Sequence, residues 1–116
     1  MSIAIVASSK GELSIYRSED GKKIASLKDF LELLGACPTP TIVLDKGDLD
    51  EAFFDLKSGL AGEFLQKISN YRRRLIVLGD YRALPGKALR DFIYESNKTG
   101  QVVFAPEFES AIELLR

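Results

Sequence analysis

FFDLKSGLAGEFLQKISNYRRRLIVLGDY, residues 53–81, and KALRDFIYESNK, residues 87–98, decide how this chain folds. The first stretch opens with an acidic, aromatic turn and runs into small residues, Ser58-Gly59-Leu60-Ala61-Gly62. Leu60, Phe64, Leu65 and Ile68 then recur at helical spacing, and the helix ends near Asn70. Residues 75–78 (LIVL) form a continuous apolar run, the mark of a strand covered on both faces, closed by Gly79-Asp80. A second amphipathic helix follows, with Pro85 in its first turn, Leu89, Phe92 and Ile93 inward and residues 97–100 as its exit. Strand, polar turn, helix: that order puts polar groups at the sheet end where α/β proteins carry their sites.

The flanking sequence is punctuated in the same way. Residues 3–7 (IAIVA) and 12–16 (ELSIY) read as two strands of a hairpin around Ser8-Ser9-Lys10-Gly11. Ser26 with Asp29 resembles a capping box, Leu27, Phe30, Leu31 and Leu34 give a helical face, and Gly35 is the expected stop. Pro38 and Pro40 break the chain before a buried strand at 41–44 (TIVL). Residues 46–55 (KGDLDEAFFD) either begin one long helix or make a turn over 50–56 before a helix starting near Ser58. Gly59 and Gly62 favour the turn, since each interior helical glycine costs roughly 0.8–1 kcal/mol relative to alanine. A strand at 102–104 and a helix at 107–115, bearing Phe108, Ala111, Ile112 and Leu115, complete the chain. The reading is β-β-α-β-α-β-α-β-α: a single-domain α/β protein, its mixed sheet of about five strands flanked by four helices.

Composition narrows the function. The 116 residues suffice for one domain with a real core. Sixteen basic against seventeen acidic residues leave a net charge of −1, without the basic excess that neutralises phosphates, so no nucleic-acid partner is expected. Arg72-Arg73-Arg74 reads as a solvated cap complementing a helix dipole. The chain has no histidine, which removes the commonest general base, the Ser/Cys–His pairs and the usual transition-metal ligand. A non-catalytic protein without metal or cofactor is expected. The lone Cys37 forms no internal disulfide and reads as a small buried apolar residue in a reducing cytoplasm. No apolar run approaches the ~20 residues of a membrane helix. The first apolar run lacks a preceding basic region, so it reads as a strand, not a signal peptide. A cytoplasmic location without a membrane partner follows as the expectation.

Two resemblances go further. FFDLKSGLAGE, LQK, NYR, GD and RDFIYESN resemble an uncharacterised bacterial domain-of-unknown-function family, densely over residues 53–104, which implies no activity. The element order resembles the STAS domain, the fold of sulfate transporters and anti-sigma-factor antagonists. In that family a strand leads to Asp-Ser-Ser-Gly-Leu at a helix start, and the second serine is phosphorylated. Ser58-Gly59-Leu60 falls in the corresponding place, and the tail VVFAPEFESAIELL is similar to that family's last strand and helix. Here the acid, Asp55, stands three residues before the serine instead of two, and Lys57 replaces the first serine.

Ser58 is therefore read as a helix N-cap, worth typically ~1 kcal/mol, and as a candidate phospho-acceptor. Gly59 and Gly62 admit close packing of a neighbouring backbone, or an anion above the helix start. Asp55, Lys57 and Glu63 share a surface patch with Asp80, a turn cap otherwise. Tyr71 and Tyr81 read as amphipathic rim residues. Arg90, Asp91 and Tyr94 share a helical face, with Arg90 and Tyr94 in reach of each other, as an internal pair or as part of an interface. The favoured function is a regulatory interaction module centred on Ser58, flanked by Asp55, Lys57 and Arg90, with an unidentified protein partner; a homodimer is a separate option. The alternative is a small-molecule or anion-binding protein using residues 58–62 and Asp80, and an enclosed pocket there separates the two.

Overall fold

The computed structural model describes residues 2–116. Its five strands are β1 (Ser2–Ser8), β2 (Gly11–Arg17), β3 (Thr41–Asp45), β4 (Arg74–Leu78) and β5 (Val102–Ala105). They lie side by side in chain order, β1 antiparallel to β2 and the remaining neighbours parallel. The helices are α1 (Leu27–Ala36), α2 (Glu51–Phe54), α3 (Leu60–Asn70), α4 (Lys87–Thr99) and α5 (Phe108–Leu114). The α/β class and mixed sheet match the sequence reading. The extra helix is α2, a single turn inside the segment read as a turn.

Strand order dictates how the layers fill. Right-handed crossovers that step the same way across a sheet leave their helices on one face. Accordingly α1, α3 and α4 share a core with one face of the sheet, built on Phe30, Ile42, Leu44, Phe64, Leu75, Val77 and Phe104. The opposite face, with Leu13, Val43, Ile76 and Val103, is covered by α5 through Ala111 and Leu115. So short a helix needs anchoring. The Lys10 ammonium donates to the Ile112 and Leu115 carbonyls, and Arg74 Nη1 donates to Arg116 O at 2.6 Å. Cations at that end suit the helix dipole.

The two sheet edges differ. On the outer side of β5, Asn97 of α4 imitates a neighbouring strand. Its Nδ2 donates to Phe104 O at 3.0 Å, and its Oδ1 accepts from Phe104 N–H at 2.8 Å. Ser96 Oγ donates to Val102 O at 2.5 Å. The RDFIYESN pattern thus ends in two residues that seal a sheet edge. At the other edge, β1 hydrogen-bonds to β2 alone among the described strands.

Three local expectations are corrected. Gly35 does not stop α1, which continues to Ala36 and closes where Cys37 N–H meets Leu33 O. Burial of Leu33, Leu34 and Cys37 outweighs the ~1 kcal/mol cost of an exposed helical glycine. Pro85 precedes α4, whose N-cap is Gly86. The arginine triplet is no solvated cap: Arg73 donates to the carbonyls of Leu34, Cys37 and Thr39, and Arg74 reaches Lys10 O as well as Arg116 O. Arg72 alone of the three is exposed. Cys37 is buried as expected, and burial pushes its thiol pKa up.

Asn97→Ala strips both partners from a backbone unit whose residue is 3% exposed. It should destabilise the fold by about 1–3 kcal/mol, read as a lowered urea midpoint at constant m. An unchanged midpoint would mean that solvent replaces Asn97 at this edge without cost.

Candidate functional site

Between β3 and α3 the chain descends through short turns, each closed by its own side chain. The 3₁₀ turn at residues 46–48 has a capping box formed by Asp45 and Asp48. Leu49 then buries, and Ile24 bridges to it. Asp50 caps α2 by accepting from Ala52 N–H at 3.0 Å. Asp55 caps a second 3₁₀ turn, residues 56–58, accepting from Lys57 N–H at 3.2 Å. Phe53 points inward and is 1% exposed, whereas Phe54 stays at the rim.

Ser58 sits at the last of these turns, exposed, one residue ahead of the α3 N-cap. The N-cap itself is Gly59, in the left-handed region at φ 78°, so the N-cap assignment of Ser58 is corrected by one residue. Its hydroxyl still serves the helix start. Oγ accepts from Leu60 N–H at 3.2 Å and donates to Ala52 O at 2.5 Å. One side chain therefore ties α2 to α3.

The two glycines have different reasons to be there. A β-carbon on Gly59 meets no neighbour; its φ is what demands glycine. Gly62 lies on the exposed side of the first turn of α3, where a side chain's Cβ would meet no neighbour within 4 Å. Close packing of a neighbouring backbone, expected for both, occurs at neither.

Asp55 and Lys57 line an open groove of about 650 Å³ whose walls are Glu51, Ala52, Phe54 and Leu56 on one side, with Pro85, Ala88 and Leu89 on the other. Asp80 lies elsewhere, in a second open concavity of about 660 Å³ with Gly79, Tyr81, Arg82 and Pro106. Its carboxylate accepts from Arg82 Nη2 at 2.9 Å and from Arg82 N–H at 3.0 Å, and these bonds hold its pKa far below the usual carboxylate range. This is the turn-cap role. Arg90 sits two residues, about 200°, around α4 from the groove-lining Ala88, and Tyr94 follows on that flank. Asp91 pairs with Lys87, Tyr94 carries Lys98 over its ring at 5.4 Å, and among the described residues no hydrogen bond or ring contact joins Arg90 to Tyr94. Ser58, Gly59, Asp55 and Lys57 are thus brought together; Asp80, Arg90 and Tyr94 stand apart.

Lys46 was missed from the sequence. Its Nζ lies 5.6 Å from the Phe54 ring centroid and 5.3 Å from that of Tyr81, and donates to Asp80 O at 3.1 Å. Its stem crosses Gly79 so closely that a Cβ there would fall 2.6 Å from Lys46 Cβ. Tyr81 is half-buried, donates to Val77 O at 3.0 Å, and burial raises its pKa. The signal for Lys46 was available: a lysine directly after one buried strand, and a glycine directly after the next.

These residues belong to a recognised family. Residues 10–115 match the family described as a domain of unknown function, DUF4180, and the chain is a member of it. No curated protein and no solved structure matches the chain. Among the described residues no group of three or more His, Cys, Asp or Glu side chains is placed to hold a metal ion, and no helix is long and apolar enough to cross a membrane.

The glycines give a prediction with opposite signs. Gly59→Ala should destabilise by about 1–2 kcal/mol because of its left-handed φ. Gly62→Ala should stabilise by up to about 1 kcal/mol. Urea unfolding of both variants checks this, and a destabilised Gly62→Ala would reveal a steric demand at that position.

Proposed function

We propose that the chain is a non-catalytic regulatory module of the cytoplasm that binds a protein partner at the α2–α3 corner and is switched by phosphorylation of Ser58. The observation that carries the reading is the exposed Ser58 hydroxyl one residue ahead of α3, beside an open groove. The element order and Ser58-Gly59-Leu60, similar to the STAS pattern, support it.

The chemistry is consistent. A protein kinase would form the Oγ–P bond, release the serine proton and leave the nucleotide diphosphate. The Ala52 carbonyl would then lose its Oγ–H donor, loosening the tie between α2 and α3. The new charge of about −1.5 to −2 would meet free N–H groups in the first turn of α3, where the dipole favours an anion. Groove shape favours a protein over a small ligand, since the groove is open, and Asp80 belongs to a separate concavity.

Phosphosite mapping after incubation with host lysate and ATP should place phosphate on Ser58. Ser58→Ala should abolish that uptake, alter partner binding and cost about 1 kcal/mol of stability through the lost hydroxyl bonds. A variant that takes up the same phosphate and binds the same partner unchanged would remove the switch.

A further inference from the structure

Strand edges invite pairing with other chains, and proteins blunt them with charge, proline, bulges or a covering element. β5 is sealed by Asn97 and Ser96. Among the described residues β1 carries no such device. Its residues, Ser2-Ile3-Ala4-Ile5-Val6-Ala7-Ser8, include no charge and no proline, and its register with β2 runs unbroken. At its centre Ile5 is 51% exposed.

The strand is also complementary to itself in size about Ile5. Placed antiparallel against itself on a two-fold axis through Ile5, it sets Ser2 opposite Ser8, Ile3 opposite Ala7 and Ala4 opposite Val6. Ile5 meets Ile5. Every larger side chain off the axis faces a small one, and no charge faces another. Residues directly opposite in an antiparallel pair share a face, so the two Ile5 side chains would cover each other. A second copy therefore brings to this edge a strand whose side chains complement it in size, with no like charges in opposition.

We infer that a second copy of this chain pairs with it β1 to β1, joining two five-stranded sheets into one. The contact is isologous, and because β5 is sealed it closes at two copies without growing into a filament. A seven-residue edge makes a small interface, so the dimer is a reversible one. This surface lies apart from Ser58 and does not depend on the role given to that residue.

Sedimentation equilibrium from micromolar to submillimolar protein tests it. The wild type should show a monomer–dimer equilibrium, and Ile5→Lys and Ile5→Glu should each be monomeric with unchanged circular dichroism. An equimolar mixture of the two should dimerise again, because the two-fold axis sets opposite charges against each other. Ile5→Cys gives a second readout: mild oxidation should link two copies through residue 5 while buried Cys37 stays reduced. A wild type that remains monomeric, a dimer indifferent to Ile5→Lys, or a mixture and a cysteine variant that fail to associate would each overturn the assignment.

Discussion

A run of stacked and tilted aromatic rings connects the helical layer to the candidate site. Phe30 of α1 stacks on Phe64 of α3 with centroids 4.2 Å apart. Phe53 of α2 lies 5.6 Å from Phe64 and 6.2 Å from Phe104 of β5, and Phe104 meets Tyr81 and Phe92 at 5.7 and 6.1 Å. Such pairs add about 0.5–1.5 kcal/mol each beyond the area they bury. Four residues of α2 cannot hold a helical turn through their own hydrogen bonds, since helix nucleation is unfavourable. The insertion of Phe53 among rings from α3 and β5 holds it. With α2 fixed, the Ala52 carbonyl is in place for Ser58, and the groove has its first wall.

The neighbouring Phe54 turns the other way and does a different task. Its ring, with that of Tyr81, receives the Lys46 ammonium, a contact worth about 0.5–1 kcal/mol at exposed sites. The loops leaving β3 and β4 are thereby clipped together above Gly79, whose missing side chain makes the room. The pair Phe53-Phe54 thus anchors one loop into the core and ties it sideways to the next.

Strands and long helices were legible because their signals are local. LIVL and TIVL announce strands covered on both faces, and Ser26 caps α1 as read, accepting from Asp29 N–H. Asp29 Oδ2 returns to Ala25 N–H and not to Ser26 N–H, so the reciprocal half of the capping box is displaced by one residue. What the sequence left open depends on partners distant in the chain. Nothing near Asn97 in sequence says that it will bond the backbone of Phe104, nor does the arginine triplet disclose that Arg73 collects three carbonyls from the α1–β3 connection. Candidate residues were grouped by exposure and type. The fold separated Asp80 and Arg90 from Ser58, because the turn after β4 and the outer flank of α4 open in other directions.

Sheet order also relates the two proposed surfaces. β1 is the outermost strand on one side, while the groove takes its second wall from the start of α4, which packs on β5 at the opposite edge. The β1 edge and the groove therefore do not compete for the same surface. A dimer paired through β1 would present two α2–α3 corners away from its axis, each as open as in a single copy. Any partner that engages one corner would then meet a bivalent target, and its apparent affinity would rise with the span its attachment allows.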